Sequence, residues 1–423
     1  MNQYRPLHHI TPKKGWINDP NGFVYFGGKY HLYCQYNPHD VKWGPMHWLH
    51  FVSEDLIHFE EVGVSMKPDQ PCDHEFGCFS GSGIEKDGKL YFLYTGASDG
   101  KQRQCLAISE DGHTFKKYEG NPVLAEKDLP EGYLVADFRD PKIFYKNDKY
   151  FVLLACRHKD GYSSILLYST LDFIHYDFVG VVKNFDNCLK GGMVECPDIL
   201  FDGEKCALLY SLQNPKQEGE KFQSAFPVAY TIGKLDLSNG KFTPLGEERE
   251  LDRGFACYAT QTLQKDCKSH IVYWESSWGN NYPTSSDGYV GQLSLVKEVR
   301  IEDDCLKMSF LPNSSFERIL VKVYEEDSSI FLNNIEISIS KKEKKITIFR
   351  KNMDEAIVDD DNVPIQERHF HLKDVENLII DYSYDNSCVE MSFQEGEAFV
   401  SMLNIKKDAP NKPIIKVEGC SLK

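Results

Sequence analysis

Three acidic side chains have the types and positions that glycoside cleavage requires. Asp19, Asp140 and Glu195 each lie at the start of a repeated stretch, and Phe79 and Tyr258 take the same place in two further repeats. Glycoside cleavage uses one acid to protonate the leaving oxygen and one carboxylate to attack or stabilise the sugar cation. A third carboxylate can bind ring hydroxyls. These three acids are therefore candidate catalytic residues, provided that they meet in one pocket.

Each acid also has a structural interpretation. The N-D-P-N-G segment around Asp19 is an ordinary turn sequence. Asp140 follows Arg139, so the two could form a buried ion pair. Glu195 lies in an otherwise apolar context, where desolvation would raise its pKa and suit a general acid. Asp198 is the weaker candidate, because strand alternation should direct its side chain elsewhere.

Polar and aromatic side chains suited to sugar binding accompany the acids. Each ring taken singly is better explained by core packing than by ligand contact. Together they favour a pocket with stacking faces and hydrogen-bond donors. The candidates are Gln35, Trp43, Phe79, Ser80, Trp274 and Trp278.

Five stretches repeat one plan: a short motif, an apolar strand, a turn with Gly or Asp, and an aromatic-rich strand. They are residues 19–36, 79–95, 140–157, 195–211 and 258–274. Repeats built from short strands are typical of propeller blades, and equivalent positions on successive blades converge around one axis. The sequence thus predicts an all-β propeller over residues 1–300, with the three acids brought together.

The strand pattern changes after residue 300. Shorter alternating strands are predicted at residues 330–339, 345–350, 378–384 and 388–393, with charged turns between them. This pattern predicts a second all-β domain over residues 301–423, a β-sandwich. A short helix at residues 293–299 is predicted to join the two domains.

Composition excludes several classes of partner. The formal charge of −16 disfavours nucleic acids and anionic membranes. The 13 cysteines have no C-x-x-C pairing, which indicates a reducing compartment rather than a disulfide framework. The start has no apolar signal-peptide core, and no run approaches a membrane span. We therefore predict a cytoplasmic protein with a small-molecule substrate, without a prediction of its oligomeric state.

Metal and nucleotide chemistry find little support in the motifs. Asp19, Asp140 and Glu195 could bind Ca²⁺ through oxygen, but EF-hand and H-E-x-x-H spacings are missing from the sequence, and His8 and His9 lie near a start that looks disordered. The sequence also lacks phosphate-loop, dinucleotide and G-x-S-x-G motifs. We predict neither a metal nor a cofactor; composition alone leaves a Ser-His-Asp triad open.

Six motifs in order resemble glycoside hydrolase family 32, the invertase and fructan-hydrolase family. A segment that closes the propeller (residues 287–295) and, more weakly, residues 385–390 of the tail also resemble it. The six motifs are W-I-N-D-P-N-G (16–22), Q-Y-N-P (35–38), W-G-P-M-H-W (43–48), F-S-G-S (79–82), F-R-D-P (138–141) and E-C-P-D (195–198).

The resemblance implies a five-bladed propeller followed by a β-sandwich, and it implies roles for the acids. Asp19 would be the nucleophile and Glu195 the general acid and then base. Asp140 would hold fructose hydroxyls and stabilise the transition state, so that a fructosyl-enzyme intermediate gives retention. No cofactor is implied. The residues at fructose-binding positions of the family are Asn18, Gln35, Trp43, Ser80 and Arg139.

The sequence departs from the family pattern at Ala256, which replaces an acid, at Cys257, which replaces a ring, and at Leu49, which replaces a glycine. The expected activity is that of a β-fructofuranosidase acting on sucrose or sucrose 6-phosphate. Residues 157–159 (R-H-K) could bind the phosphate or form an exposed basic turn. The alternatives are an exo-hydrolase of β-fructans, a fructosyltransferase, and a non-catalytic fructan-binding propeller.

Overall fold

The computed structural model of the protein describes residues 4–188, 191–275, 278, 282–350, 367–405 and 412–423. Regular structure in these ranges is almost entirely β-strand, with two short 3₁₀ turns at Glu126–Asp128 and Pro283–Asp287. The all-β prediction is confirmed. No helix in the described ranges has the length and apolar character needed to cross a membrane.

The strands before residue 311 form five sheets. The first contains β1 (Gly15–Phe26), β2 (Lys29–Asn37), β3 (His47–Ser53) and β4 (Glu60–Met66). The second contains β5 (Gly77–Lys86), β6 (Lys89–Ser98), β7 (Lys101–Ser109) and β8 (Lys116–Lys117). The third contains β9 (Tyr133–Lys146), β10 (Lys149–His158), β11 (Ser163–Thr170) and β12 (Tyr176–Phe185).

The fourth sheet contains β13 (Val194–Asp202), β14 (Lys205–Leu212), β15 (Val228–Leu235), β16 (Phe242–Pro244) and β17 (Arg249–Glu250). The fifth begins with β18 (Tyr258–Lys265) and β19 (Lys268–Trp274). The next strand, β20 (Tyr289–Val290), joins the first sheet instead. The fifth sheet is then completed by β21 (Lys297–Glu302) and β22 (Cys305–Phe310).

The innermost strands of the five sheets form a closed ring. β1 contacts β5, β5 contacts β9, β9 contacts β13, β13 contacts β18, and β18 contacts β1. β20 strengthens this closure by pairing in parallel with the start of β1, where Gly15 lies opposite Tyr289. Gly291 permits the approach, since a Cβ there would lie 2.0 Å from the carbonyl oxygen of Ile17. The five sheets thus surround a common axis.

Turn chemistry sets the register of the inner hairpins. Gly27 and Gly28, Asp87 and Gly88, and Asn147 and Asp148 all have positive φ. Positive φ at both central residues is what a type I′ turn requires, and its twist matches that of the flanking strands. These turns were predicted from their residue types, and the structure confirms them.

The strands after residue 316 form two five-stranded sheets, in the orders β30-β29-β28-β23-β32 and β27-β26-β25-β24-β31. Side chains of both sheets, such as Ile337 and Ile380, share one apolar core. The strands are β23 (Glu317–Val323), β24 (Asp327–Leu332), β25 (Ile335–Ser340), β26 (Lys345–Arg350), β27 (Glu367–His371), β28 (Asn377–Asp385), β29 (Cys388–Phe393), β30 (Ala398–Leu403), β31 (Ile415–Glu418) and β32 (Cys420–Leu422).

Two predicted elements are wrong. The helix expected at residues 293–299 is extended chain: Leu293 forms bridges with Ile10 and Trp274, and β21 begins at Lys297. The single strand expected at residues 330–339 is divided between β24 and β25, because Asn333 adopts a left-handed conformation with φ of 56°. Residue 300, the expected domain boundary, lies inside β21, which pairs with β22.

The described part of the N-terminal segment is fixed against the second group of sheets. The carboxylate of Asp385, at the end of β28, accepts hydrogen bonds from the backbone N–H groups of Leu7 (2.7 Å), His8 (2.8 Å) and His9 (3.1 Å). The side chain of His9 is buried. The expectation of a disordered start around His8 and His9 is therefore wrong.

Candidate active site

The innermost strands β1, β5, β9, β13 and β18 each contain a β-bulge, in which two residues lie opposite one residue of the partner strand. Bulges redirect side chains and are frequent beside active sites. Because the strands surround a common axis, the bulges do too. The bulged residues are Asn18 and Asp19, Phe79 and Ser80, Asp140 and Pro141, Cys196 and Pro197, and Ala259 and Thr260.

The three acids were expected at equivalent positions of the repeat. The structure places them at different positions relative to the bulges. Asp140 is the first residue of its bulge, Asp19 is the second, and Glu195 directly precedes the bulge of β13. The backbone has positive φ at Asp140 (62°) and Cys196 (45°). The three acids, aligned by their turn residues, therefore differ by up to two positions relative to the bulges, yet each lies in a bulge or directly before one.

A cavity of about 430 Å³ contains all three acids. This volume is within the range of about 300–1,000 Å³ typical of small-molecule sites. Its wall combines carboxylates, amides and rings. The lining residues are Asn18, Asp19, Gln35, Trp43, Phe76, Phe79, Ala97, Gly100, Lys101, Gln102, Ala136, Asp137, Arg139, Asp140, Glu195 and Trp278.

Asp19 is buried and held by three donors. Its Oδ2 accepts hydrogen bonds from Ser80 Oγ (2.5 Å) and Gln35 Nε2 (3.0 Å), and its Oδ1 accepts one from Asn18 Nδ2 (3.0 Å). Burial raises the pKa of Asp19, and the neighbouring charge of Glu195 adds to this, while the Ser80 hydrogen bond opposes it. The donors fix the orientation of the carboxylate and favour its charged form.

Asp140 is anchored from two sides. Its backbone N–H donates to Thr95 Oγ1, and its Oδ2 accepts from the backbone N–H of Cys196, both at 3.0 Å. Burial raises the pKa of Asp140 to about 7, although the Arg139 guanidinium, 3.8 Å away, opposes the shift. A carboxyl group beside Glu195 and Asp19 is costly to ionise in this buried setting.

Glu195 is paired at both oxygens. Its Oε1 accepts from Arg139 Nη2 (2.8 Å) and Nε (3.1 Å), and its Oε2 accepts from the hydroxyl of Tyr258. Burial raises the pKa of Tyr258 well above its ordinary value, so this phenol remains a donor. The Glu195 side chain is 15% exposed, compared with 7% for Asp140. Solvent therefore reaches Glu195 more readily.

Arg139 joins the acids electrostatically. Besides contacting Glu195 and Asp140, its Nη1 donates to Asp137 Oδ1 at 3.0 Å. Burial disfavours the charge, but Glu195, Asp140 and Asp137 together raise the pKa of Arg139. The buried Arg–Asp pair considered from the sequence thus exists as part of a larger cavity network.

Residues 9–312 match the model of the glycosyl hydrolases family 32 N-terminal domain. The chain belongs to glycosyl hydrolase family 32. Curated relatives include a sucrose-6-phosphate hydrolase from Zymomonas mobilis, 35% identical over 73% of this chain, and one from Bacillus subtilis, 28% identical over 94% of it. The match spans 62% of the length of the Zymomonas protein and 88% of the Bacillus protein.

Solved structures agree over almost the whole chain. A sucrose-6-phosphate hydrolase from Lactobacillus gasseri superposes with a TM-score of 0.88 at 27% identity, covering 98% of this chain and 91% of that one. A family 32 β-fructofuranosidase from Bombyx mori gives 0.83 at 28% identity, covering 99% and 94%. Both descriptions match the family resemblance predicted from the motifs.

In this family 32 chain, most of the predicted binding residues line the cavity: Asn18, Gln35, Trp43, Phe79 and Arg139. Ser80 is buried behind the wall and acts on Asp19 through its hydroxyl. The prediction for Trp274 is wrong. Its ring is fully buried, tilted against Trp16 at 6.0 Å, and it does not line the cavity.

Sequence reasoning missed several lining residues and one partner. Trp278 was considered only as a flanking ring, yet it lines the cavity and stacks on Trp16 at 6.1 Å. Asp137 could have been found, because it lies two residues before Arg139 and so shares its strand face. Tyr258 was recognised as a repeat position but not as the donor to Glu195.

The departures from the family 32 pattern lie away from the cavity. Ala256 and Cys257 are buried in apolar clusters, and the backbone N–H of Ala256 donates to Ser401 of β30. Leu49 is a core residue of β3. None of the three lines the cavity, so they give no reason to expect an altered leaving-group side.

Arg157 of the R-H-K segment is hydrogen-bonded to other parts of the protein. Its Nε donates to Asp137 Oδ2 at 2.8 Å and its Nη2 to the carbonyl of Gly191 at 2.6 Å. The R-H-K segment does not line the cavity. Among the described residues, two groups have metal-ligand spacing; both are built on His9, and neither includes a cavity acid.

Proposed function

We propose that this chain is a retaining β-fructofuranosidase that hydrolyses the terminal β-D-fructosyl linkage of sucrose or sucrose 6-phosphate. The observation that carries the proposal is the presence of Asp19, Asp140 and Glu195 in one cavity with fixed but different surroundings. A pair of carboxyl groups in different environments is what acid-assisted displacement at a sugar carbon needs.

Asp19 acts as the nucleophile. Its donors, Ser80, Gln35 and Asn18, hold the carboxylate rigidly and favour the anion. Attack on the anomeric carbon forms a covalent fructosyl ester, while the bond to the leaving oxygen breaks. Positioning by donors that are already in place avoids the cost of ordering them during the reaction.

Glu195 acts as the acid and then the base. Protonated, it donates to the leaving oxygen; ionised, it takes a proton from the water that cleaves the ester. Its greater exposure supports this role, since the second step requires water. Arg139 and Tyr258 fix both of its oxygens and stabilise the carboxylate that forms.

Asp140 holds fructose hydroxyls and stabilises the positive charge that develops on the sugar. Its orientation is fixed by Thr95 and by the backbone of Cys196. Rings at the cavity, including Trp43 and Trp278, provide faces on which sugar C–H groups can pack. No step of this mechanism calls for a cofactor.

A phosphate on the leaving sugar would meet Lys101. Lys101 and Arg139 are the cationic residues of the cavity lining, and Arg139 is paired with Glu195. Lys101 is 40% exposed and contacts Glu126 at 2.5 Å. Its partly exposed ammonium group can exchange that contact for a phosphate oxygen.

We further infer that the ring of five sheets is a five-bladed propeller and that the two last sheets form a β-sandwich, with the boundary between Phe310 and Glu317. The closed ring of inner strands and the shared core of the last two sheets support this division. All thirteen cysteines are free thiols, which supports a cytoplasmic location.

The decisive experiment compares kcat/KM for sucrose, sucrose 6-phosphate, kestose, inulin and levan, with product analysis at high sucrose. We expect fructose release from sucrose or its phosphate to dominate. Preference for inulin or levan would favour a fructan exo-hydrolase, and new oligosaccharides would favour a fructosyltransferase. Binding of these sugars without turnover of any of them would support the alternative of a non-catalytic fructan-binding propeller.

A further inference from the structure

A second cluster of ionisable side chains lies outside the cavity, where the N-terminal segment, the fifth sheet and the tail meet. It is built on His9, Glu275 and Glu390, whose side chains are all 0% exposed. Glu275 directly follows β19, and Glu390 lies in β29. The proposed hydrolysis uses none of these residues, so the cluster needs its own explanation.

The three side chains converge at ion-pair distances that are long for hydrogen bonds. His9 Nε2 lies 3.5 Å from Glu275 Oε2 and 3.4 Å from Glu390 Oε2. Both distances are longer than the roughly 2.7–3.2 Å of an N–H···O hydrogen bond. His9 Nε2, Glu275 Oε1 and Glu390 Oε2 are fully buried and have no hydrogen-bond partner. Buried polar atoms that are left unpaired require an explanation.

The separations are those of ligands around a small cation. Donor atoms bound at about 2.0–2.2 Å in tetrahedral directions lie about 3.3–3.6 Å apart. One ligand atom from each of His9, Glu275 and Glu390 lies within 4.8 Å of the other two. Imidazole and carboxylate are ligands that Zn²⁺ accepts.

Neighbouring side chains hydrogen-bond to each proposed ligand and fix its orientation. His9 Nδ1 lies 2.9 Å from Asp385 Oδ2, an arrangement that leaves Nε2 free to bind a metal. Glu275 Oε2 accepts from Gln292 Nε2 at 2.8 Å, and Glu390 Oε1 accepts from Lys297 Nζ at 2.5 Å. Glu390 Oε2, 3.4 Å from His9 Nε2, has no hydrogen-bond partner, whereas the Glu275 oxygen nearest His9 is Oε2, which accepts from Gln292 and has a second lone pair available.

The charges also balance with a dication. Glu275, Glu390 and Asp385 carry three negative charges when ionised, and Lys297 supplies one positive charge. A divalent cation bound to neutral His9 makes the cluster neutral. The cluster is also neutral without a cation if His9 is protonated and one of the two glutamates carries a proton, so the charges permit a dication without requiring one.

We propose that His9, Glu275 and Glu390 bind a divalent first-row transition cation, with Zn²⁺ as the best match, and that Asp385 orients His9. The site is structural. It joins the N-terminal segment to the tail and to the end of β19, three residues before the cavity residue Trp278. In the neighbouring group of His9, Asp385 and Cys388, the carboxylate is already bonded to His9 Nδ1.

The test measures metal content directly. The full chain is produced in zinc-supplemented medium, dialysed without chelator and assayed for metals by mass spectrometry. We expect one Zn²⁺ per chain in the wild type and at least a tenfold loss in Glu275→Gln and in Glu390→Gln. Asp198→Asn is the matched control: it neutralises another buried carboxylate paired with a lysine, and it should retain the metal.

A gentler variant separates metal binding from folding. Asp385→Asn leaves the three ligands in place and should weaken zinc affinity by about 10- to 100-fold in competition with a chelator. Replacement of zinc by cobalt should give the visible absorption of a tetrahedral site. Wild-type chain without bound cation, or zinc retained in both glutamine variants, would overturn the proposal, and the cluster would then be held by a protonated His9 alone.

Discussion

The hydroxyl of Tyr258 donates a hydrogen bond to Oε2 of Glu195. The two residues hold the same position on the neighbouring strands β18 and β13, each directly before a bulge. The ring geometry thus supplies Glu195 with a donor from one side, while Arg139 bonds its other oxygen. Tyr258, which takes the place of an acid in the fifth repeat, thus donates a hydrogen bond to the acid of the fourth repeat.

Replacing Tyr258 by Phe removes this donor. A hydrogen bond to a charged group is worth about 1.5–3 kcal/mol, so kcat/KM for sucrose should fall about 10- to 100-fold. Steady-state kinetics measures the loss. Tyr94→Phe is the control, because that tyrosine also bonds a carboxylate, Asp73, away from the cavity. Equal activity of both variants would contradict the assignment.

Asp19→Asn should abolish turnover while the fold remains. Loss of a nucleophile lowers kcat by about 10⁴-fold or more, whereas the amide oxygen of the variant can still accept from Ser80 and Gln35. Circular dichroism and fructose binding report the fold, and a sensitive fructose assay reports kcat. If the variant turns over sucrose at the wild-type rate, Asp19 is not the nucleophile.

Asp140 should make stability depend on pH. The pKa of Asp140 is about 7 in the folded protein, whereas its ordinary value is 3.8. The folded state therefore holds the proton more strongly. Its contribution is fully present below pH 3.8 and is lost as the pH rises through 7. The total is about 4 kcal/mol at most.

Asp140→Asn removes this titration. Urea unfolding of wild type and variant at several pH values should give a difference that changes across this window, with the variant relatively more stable at pH 8. A constant difference would show that Asp140 ionises normally. Greater stability on removing a carboxyl group of the proposed active site is the usual trade between function and folding.

Asp198 is a buried carboxylate whose replacement should destabilise the fold, in contrast to that of Asp140. It is fully buried, contacts Lys142 Nζ at 2.8 Å and accepts hydrogen bonds from Thr262. Asp198→Asn leaves a buried ammonium group without its counter-charge and should cost about 3–5 kcal/mol of stability, measured by denaturant unfolding. At a temperature where the variant is folded, its kcat should equal that of the wild type. A lowered kcat with unchanged stability would refute this purely structural role.

Lys101→Met tests the phosphate proposal. We expect kcat/KM for sucrose 6-phosphate to fall about fivefold, as for a partly exposed ion pair, and that for sucrose to stay constant. Lys149→Met, an exposed lysine at a hairpin turn, serves as the control. A parallel loss on both substrates would assign Lys101 to general binding rather than to phosphate.

Much of the fold was predictable because local chemistry determines it. Glycine, asparagine and aspartate at hairpin centres specify the turns, and the apolar strands between them specify the sheets. Asp19, Asp140 and Glu195 could be selected because they lie at corresponding places in three of the five repeated stretches. Asp198 was set apart from them, and it is paired with Lys142 and does not line the cavity.

The remaining features depend on contacts between distant parts of the chain. A bulge adds one residue to a strand without a clear sequence signal, which is why the repeat alignment did not show that Asp19, Asp140 and Glu195 differ in position relative to their bulges. Trp274 and Trp278 are close in sequence, and only packing against Trp16 decides which ring reaches the cavity. His9 has no local signal at all, because its partners Glu275 and Glu390 come from two other sheets.

The pairing of β20 with β1 has a consequence for the order of folding during synthesis. The strand that carries Asp19 leaves the ribosome early, but its neighbour at Tyr289 and Val290 is translated much later. Until then the β1 edge is exposed and open to association with other chains. We expect nascent fragments that end before Tyr289 to need chaperone protection and to lack the proposed activity.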